Sequence, residues 1–125
     1  MFVEEYKFKF NLGREILLNQ KLLLDLKIRL QQLLFFIKEN DKSSKPYFCR
    51  FLKIMLHNIE IWENGNCKDT DELIKFIKED WNYCNNVHTG IPEYGIWSND
   101  YEIRKNLNIT FRNMVFEIDK ILNNI

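Results

Sequence analysis

The most constraining feature of this sequence is the spacing of its apolar residues, which recur every three or four positions over much of the chain. The longest row has one polar member, Asn19, and otherwise consists of Leu12, Ile16, Leu23, Leu26, Leu30, Leu33 and Ile37. This spacing puts the side chains on one face of an α-helix. It predicts a long amphipathic helix over positions 13–39.

A second apolar row runs along the same predicted helix and consists of Leu17, Leu24, Ile28 and Phe35. It widens the apolar face, so we expect this helix to touch more than one neighbour. Charged and amide side chains interrupt the stretch at positions 25, 27, 29, 31 and 32. Because those groups are costly at bilayer depth, the sequence predicts a core helix here and no membrane span.

Within residues 3–10, Tyr6, Phe8 and Phe10 alternate with Lys7 and Lys9, a pattern with the period of a β-strand. A lone strand has no evident partner in this sequence. Two interpretations stay open: an extended arm packed on the bundle, or a helix with Phe2, Tyr6 and Phe10 on one face. We prefer the helix.

Three further helices follow from local signals. Ser44 and Pro46 favour a helix start, and Gly65 favours its end; the apolar row between them is Phe48, Phe51, Leu52, Met55, Leu56, Ile59 and Trp62. Asp69 is a cap candidate for the next helix, whose row is Leu73, Ile74, Ile77, Trp81 and Cys84. Asn99 with Glu102 forms a capping pair for the last, with the row Ile103, Leu107, Phe111, Met114, Ile118, Ile121 and Ile125.

These elements and the short connections between them predict an all-α fold. The expected architecture is a single-domain helical bundle over residues 1–125, with about four main helices and an N-terminal extra element. Glycine and proline punctuate residues 88–100, which predicts a loop that contains Tyr94 and Trp97.

The sequence offers little for catalysis or cofactor binding. The three cysteines lie outside any CxxC arrangement, so free thiols in a reducing cytoplasm are expected. The four glycines are scattered, and His57 and His88 lie outside any metal-binding spacing. We therefore expect no cofactor, no metal site and no enzymatic activity, and charges near the N-terminus argue against an export signal.

One spacing keeps an enzymatic alternative open. Arg50 and His57 are separated by six residues on the second predicted helix, and this spacing resembles the loose Arg-to-His signature of HEPN domains, small all-α proteins that are often RNases. The resemblance implies that arginine holds a phosphate while histidine moves a proton at the 2′-hydroxyl. Phe51 departs from the family pattern, and no histidine follows Arg112-Asn113, the other half of such a signature.

Charge is unevenly distributed although the net charge is zero. Residues 1–53 hold eleven basic and six acidic side chains, a net charge of +5, whereas residues 54–102 hold three basic and ten acidic ones, a net charge of −7. The basic excess is interleaved with acids on amphipathic helices, so we do not expect direct binding to nucleic acid. An acidic middle segment favours encounter with a basic protein.

All three tryptophans lie in that acidic segment. Trp62 and Trp81 fall on apolar rows and are expected in the core, whereas Tyr94 and Trp97 fit no row. Aromatic anchors within a charged rim are common in protein interfaces. The predicted partner-binding residues are Glu60, Glu63, Asp71, Glu72, Glu79, Asp80, Glu93, Tyr94 and Trp97. The alternative is that these acids are ordinary helix-surface and capping charges.

In general character the chain resembles the small cytoplasmic immunity proteins of bacterial toxin systems, including contact-dependent growth inhibition. That resemblance implies a non-enzymatic inhibitor that neutralises a cognate basic toxin nuclease by occlusion. Two alternatives accompany it: an RNase that uses Arg50 and His57, and a homo-oligomerising bundle, favoured if the apolar faces exceed what one core can bury.

Overall fold

The computed structural model describes the backbone of residues 2–43 and 45–125, and the side chains of residues 17–43 and 45–125. Four α-helices follow in order: α1 (Phe2–Asn40), α2 (Cys49–Asn64), α3 (Thr70–Cys84) and α4 (Tyr101–Asn123). A 3₁₀ turn, Ile91–Glu93, lies between α3 and α4. The described backbone contains no strand, which confirms the predicted all-α helical bundle.

Residues 2–10 continue α1 without a break, so the preferred helical interpretation is the one their backbone adopts. The expected aromatic face formed by Phe2, Tyr6 and Phe10 lies outside the described side chains. At 1.5 Å per residue α1 is about 58 Å long, more than twice the length of α2 or α3. It is the spine of the molecule.

The core follows the predicted apolar rows. Within α1 the row from Leu23 to Ile37 is buried, and α3 buries every predicted member. Trp62 and Trp81 are 5% and 6% exposed, which confirms their assignment to the core. In the row of α4, Phe111, Ile118 and Ile121 are buried, and Met114 and Ile125 are half-buried. Ile103 is 53% exposed, since the core contacts of α4 begin farther along the helix.

Neighbouring helices run antiparallel. Lys27 of α1 meets Glu63 near the end of α2, while the opposite ends of these helices converge around Ile37 and Cys49. Phe51 stacks on Tyr83 at one end of the α2–α3 pair, and Trp62 Nε1 donates to Thr70 Oγ1 at the other, 3.0 Å away. α1 packs against both α2 and α4, so it touches more than one neighbour as predicted. The second apolar row that led to this prediction takes no part in those contacts.

Two hydrogen bonds connect α3 with α4 and give this pair the same antiparallel sense. Trp81 Nε1 donates to Asp119 Oδ1 over 3.1 Å, and Lys78 Nζ donates to the Ile125 carbonyl over 2.6 Å. The indole of Trp81 is therefore buried with its single polar group satisfied. The four helices close into an up-down-up-down bundle.

The starts of the helices differ in detail from the sequence prediction. α2 begins at Cys49, and a turn with a bond from the Cys49 N–H to the Pro46 carbonyl precedes it; Ser44, the predicted cap, lies outside the described residues. Asp69 precedes α3 as expected, but its backbone is left-handed and its carboxylate does not cap the helix. The cap of α4 is Asp100 rather than Asn99, because the Asp100 carboxylate accepts the Ile103 N–H at 3.1 Å.

The second apolar row of α1 stays outside the core. Leu17, Leu24, Ile28 and Phe35 are between 39% and 67% exposed. They lie on the side of α1 opposite its buried row, because neither α2 nor α4 packs there. None of the described helices is long and apolar enough to cross a membrane.

Candidate protein-binding surface

The exposed acidic residues predicted to meet a partner are concentrated on α3. Asp71, Glu72 and Glu79 are exposed, and Asp80 is half-buried beside the core. None of the four forms an ion pair with a side chain in residues 17–43 or 45–125. Of the two lysines on α3, Lys78 points toward α4, where it donates to a backbone carbonyl. Lys75 is exposed one turn from Asp71 and Glu79, so the outer surface of α3 carries four acidic side chains and one lysine.

The electrostatics of Asp80 are consistent with an excess of negative charge on α3. Burial raises the pKa of its carboxyl group, and the neighbouring charge of Glu79 raises it further. Both effects disfavour the carboxylate. A positive charge brought to this surface by a partner would relieve the repulsion and favour the ionised form.

Glu60 and Glu63 belong to a different part of the molecule. The Glu63 Oε1 atom lies 2.8 Å from Lys27 Nζ of α1. The pKa of Lys27 is raised by its hydrogen bond to Glu63 and by the charges of Glu63 and Glu60. Desolvation lowers this pKa, but by less than the other effects raise it. These two acids face α1 and share a cation there, so they are separated from the acids of α3.

Tyr94 lies inside the bundle end rather than on an open loop. Its ring centroid lies 5.1 Å from that of Phe48 and 5.1 Å from that of Phe111. Its hydroxyl donates to Asp41 Oδ2 over 2.6 Å, and burial together with this carboxylate raises the pKa of the phenol. Tyr94 therefore pins the loop to α1, α2 and α4.

Trp97 is exposed, in contrast, and is 69% accessible to solvent. Arg104 of α4 lies over its ring with Cζ 4.5 Å from the centroid, and the Tyr101 ring is 5.5 Å from the same guanidinium. Such cation–π contacts orient the indole on the surface. Tyr101 and Arg104 were not singled out by the sequence, and Glu93 is exposed in the 3₁₀ turn of the same connection.

An aromatic groove between α2 and α3 accompanies the α3 acids. Phe51 and Tyr83 stack with their ring centroids 5.2 Å apart, and Tyr47 meets Phe51 edge-on at 5.7 Å. Tyr47 and Tyr83 are each 61% exposed, so large ring surfaces face solvent. This groove was not predicted from the sequence, although Phe51, Ile54, Asn58 and Ile61 of α2 recur at helical spacing with Tyr47, which lies just before the helix.

The groove deepens toward the start of α3. A cleft of about 430 Å³ lies there, with Ile61 of α2 and Phe76 of α3 among its lining residues, and Glu72 lies beside them. Ile61 is 56% exposed and Phe76 is 46% exposed. Apolar surface in this cleft is therefore bordered by the carboxylates of Asp69 and Glu72 and by one lysine, Lys68.

A second, basic cleft lies at the start of α2. Arg50 and His57, two turns apart on α2, line a volume of about 770 Å³ together with Lys45 and Lys53. A neighbouring cavity of about 680 Å³ adds Lys38 and Lys42 from the end of α1. The Asp41 carboxylate lines that same cavity, where it accepts the Tyr94 hydroxyl. The structure thus brings the two residues of the enzymatic alternative into one positively charged cleft.

The thiols and potential metal ligands suggest no further chemistry. All three cysteines are free, and Cys49 and Cys84 are buried. Burial raises the pKa of Cys84 to about 12 and raises that of Cys49 in the same direction, so both remain protonated at neutral pH. The described side chains contain no group of three that could hold a metal ion.

The chain matches no known protein family, no curated protein sequence and no solved structure.

Proposed function

We propose that this protein binds and occludes a basic protein partner through α3 and the adjoining aromatic groove, as an immunity protein neutralises a toxin nuclease. The observation that carries the proposal is the juxtaposition of acids without ion-pair partners on α3 with the exposed rings of Tyr83 and Phe76 and the half-buried ring of Phe51. Aromatic anchors supply binding energy at interface centres, and complementary charge accelerates association.

The shape of the groove indicates the kind of partner surface it fits. It runs between two antiparallel helices, has an apolar floor, and is acidic along its α3 side. An amphipathic segment with an apolar face and flanking lysines or arginines complements all three properties. A toxin that itself binds nucleic acid offers such basic segments, and covering them would block its substrate.

Co-expression tests the functional class. Each reading frame that neighbours the gene is expressed alone and then with this chain. A neighbour that is toxic alone and harmless in its presence supports the proposal, and it also supplies the partner for binding measurements. If every neighbour is harmless alone, or toxic in both settings, the immunity function is contradicted.

Charge reversal tests the surface. Glu72→Lys with Glu79→Lys should slow association with that partner about tenfold or more and make it less sensitive to salt, because steering by the α3 field is lost. The matched control is Glu39→Lys with Glu102→Lys, an equal charge change at exposed positions elsewhere. Equal association rates for the two double variants would exclude α3 as the binding surface.

RNA cleavage is a second candidate function, supported by the shared basic cleft of Arg50 and His57. Lys45 and Lys53 in that cleft would hold the RNA backbone while His57 moves a proton. Purified protein should then cleave RNA, and Arg50→Ala and His57→Ala should each abolish cleavage. Both side chains are exposed, so circular dichroism should show an unchanged fold. Intact RNA, or cleavage that survives both substitutions, rejects this function.

A further inference from the structure

The outer face of α1 carries an apolar stripe that the bundle leaves uncovered, formed by Leu17, Leu24, Ile28 and Phe35, which are 67%, 39%, 51% and 65% exposed. At 100° per residue the four lie within about 40° of arc, and they span about 27 Å along the helix. We call this set the α1 outer stripe. Contiguous exposed apolar surface of this kind marks interaction sites.

The α1 outer stripe is symmetric in sequence. Leu17 and Phe35 lie nine residues on either side of position 26, and Leu24 and Ile28 lie two residues on either side of it. A two-fold symmetric contact requires that when residue i meets residue j, residue j also meets residue i. Two antiparallel copies of α1 satisfy this along the whole stripe, since Leu17 then meets Phe35 and Leu24 meets Ile28 at both ends.

The polar residues in the stripe select the antiparallel orientation. Lys21 and Gln31 fill its gaps, five residues on either side of the same centre. Antiparallel pairing places each Lys21 ammonium opposite a Gln31 amide oxygen, whereas parallel pairing places Lys21 opposite Lys21. Opposing like charges are destabilising, and a lysine facing an amide is a donor meeting an acceptor.

We infer that the α1 outer stripe joins two copies of this chain in an antiparallel homodimer. The contact uses α1, whereas the surface proposed for the partner lies on α2 and α3, and α2 separates α3 from α1. The dimer would therefore present two copies of the acidic groove. A contact of two helices over this length is smaller than a standard interface, so we expect a reversible dimer.

Disulfide cross-linking tests the pairing and its direction. Leu17→Cys and Phe35→Cys are made separately in a Cys67→Ser background, since the other two cysteines are buried. Mild oxidation of the mixture should give a covalent dimer that contains one of each variant, and neither variant alone should cross-link. Self-linking of Leu17→Cys would overturn the antiparallel direction, and the absence of any cross-linked product in the mixture would overturn the dimer.

Molar mass in solution provides a test without cysteine chemistry. The unmodified chain should have the mass of a dimer in light scattering at high concentration, and Leu24→Glu with Ile28→Glu should have that of a monomer with unchanged circular dichroism. Ile103→Glu with Phe116→Glu is the control, because these side chains are 53% and 60% exposed on α4. A monomeric unmodified chain, or an equal loss of mass in the control, would contradict the proposed interface.

Discussion

Gly90 lies where the chain leaves α3 and turns toward the 3₁₀ turn. A β-carbon at this position would collide with the backbone carbonyl of Cys84 and with the backbone of Asn86. The Gly90 N–H also donates to the Asn86 carbonyl over 2.8 Å, so this segment is held close to the end of α3. The turn has no room for a β-carbon at position 90. Glycine is needed there for this steric reason and not for a left-handed backbone, because Gly90 does not have positive φ.

Gly90→Ala should therefore destabilise the fold by about 2–3 kcal/mol, since backbone atoms cannot move aside as a flexible side chain can. Gly95→Ala is the matched control: its β-carbon would meet only Asn108 Oδ1 at 3.6 Å, an ordinary contact. Urea denaturation of the two variants measures the difference. Equal urea midpoints for Gly90→Ala and Gly95→Ala would contradict the expected clash at Gly90.

Tyr94 and Trp97 show how two similar loop residues acquire different roles. Both are large aromatic residues in a segment without helical periodicity, so the sequence contains no signal that separates them. The carboxylate of Asp41 accepts the Tyr94 hydroxyl across 53 positions of sequence, and Phe48 and Phe111 enclose its ring. Trp97 is exposed, and the guanidinium of Arg104, seven positions away in sequence, lies over its ring. Long-range contacts decided which residue became buried.

At the scale of helices, the ends are set by single hydrogen bonds. Asp100 caps α4 because its extended backbone lets the carboxylate reach the Ile103 N–H. The sequence favoured the preceding Asn99, and both residue types are good caps, so composition does not distinguish neighbours that differ only in backbone conformation. In the connection before α3, residue type is also a poor guide to backbone conformation. Asn66, Cys67 and Asp69 adopt positive φ there, although none of them is glycine.

Substitution of the cap should separate the two candidates. Asp100→Ala should lower the free energy of unfolding by about 1 kcal/mol, because it leaves an N–H of the first turn unsatisfied. Asn99→Ala should have almost no effect, as its side chain forms no hydrogen bond with the described residues. Thermal unfolding monitored by circular dichroism gives both values, and a larger effect at Asn99 would contradict the assigned cap.

Helix rows illustrate what periodicity can predict. The buried rows of α1 and α3 were predicted correctly, because a helix face with apolar residues at every third or fourth position favours burial. The α1 outer stripe also lies on one helix face, with its members seven, four and seven positions apart, yet it is exposed in the bundle. Spacing identifies a face that favours burial, but the number of available neighbours determines whether that face is covered.

At the scale of the whole molecule, three surfaces differ in character, and two of them adjoin, because Tyr47 and Ile54 border both the aromatic groove and the basic cleft. α3 and the groove beside it are acidic and aromatic, the cleft at the start of α2 is basic, and α1 presents the α1 outer stripe. The zero net charge thus arises from separated regions of opposite sign. A partner with a basic segment would be drawn to one side of the molecule and repelled from another, which favours a defined orientation of docking.

The basic cleft also accounts for part of the charge asymmetry along the chain. Lys38, Lys42, Lys45 and Lys53 come from the end of α1, the connection and α2, and they converge because the two helices run antiparallel. The sequence showed these lysines as an excess spread over its first 53 residues. Folding gathers them at one end, next to Arg50 and His57.

The sequence by itself determined the fold class, the four helices and most of the core, because helical periodicity and local punctuation are properties of neighbouring residues. Tertiary structure alone decided which acidic side chains have an ion-pair partner. Glu63 is paired with Lys27 of α1, whereas the α3 acids form no ion pair with the described side chains. Tertiary structure also decided that Tyr94 is packed while Tyr83 is offered to solvent. Those outcomes depend on which helices become neighbours, and contacts between distant segments leave no periodic signal in a single sequence.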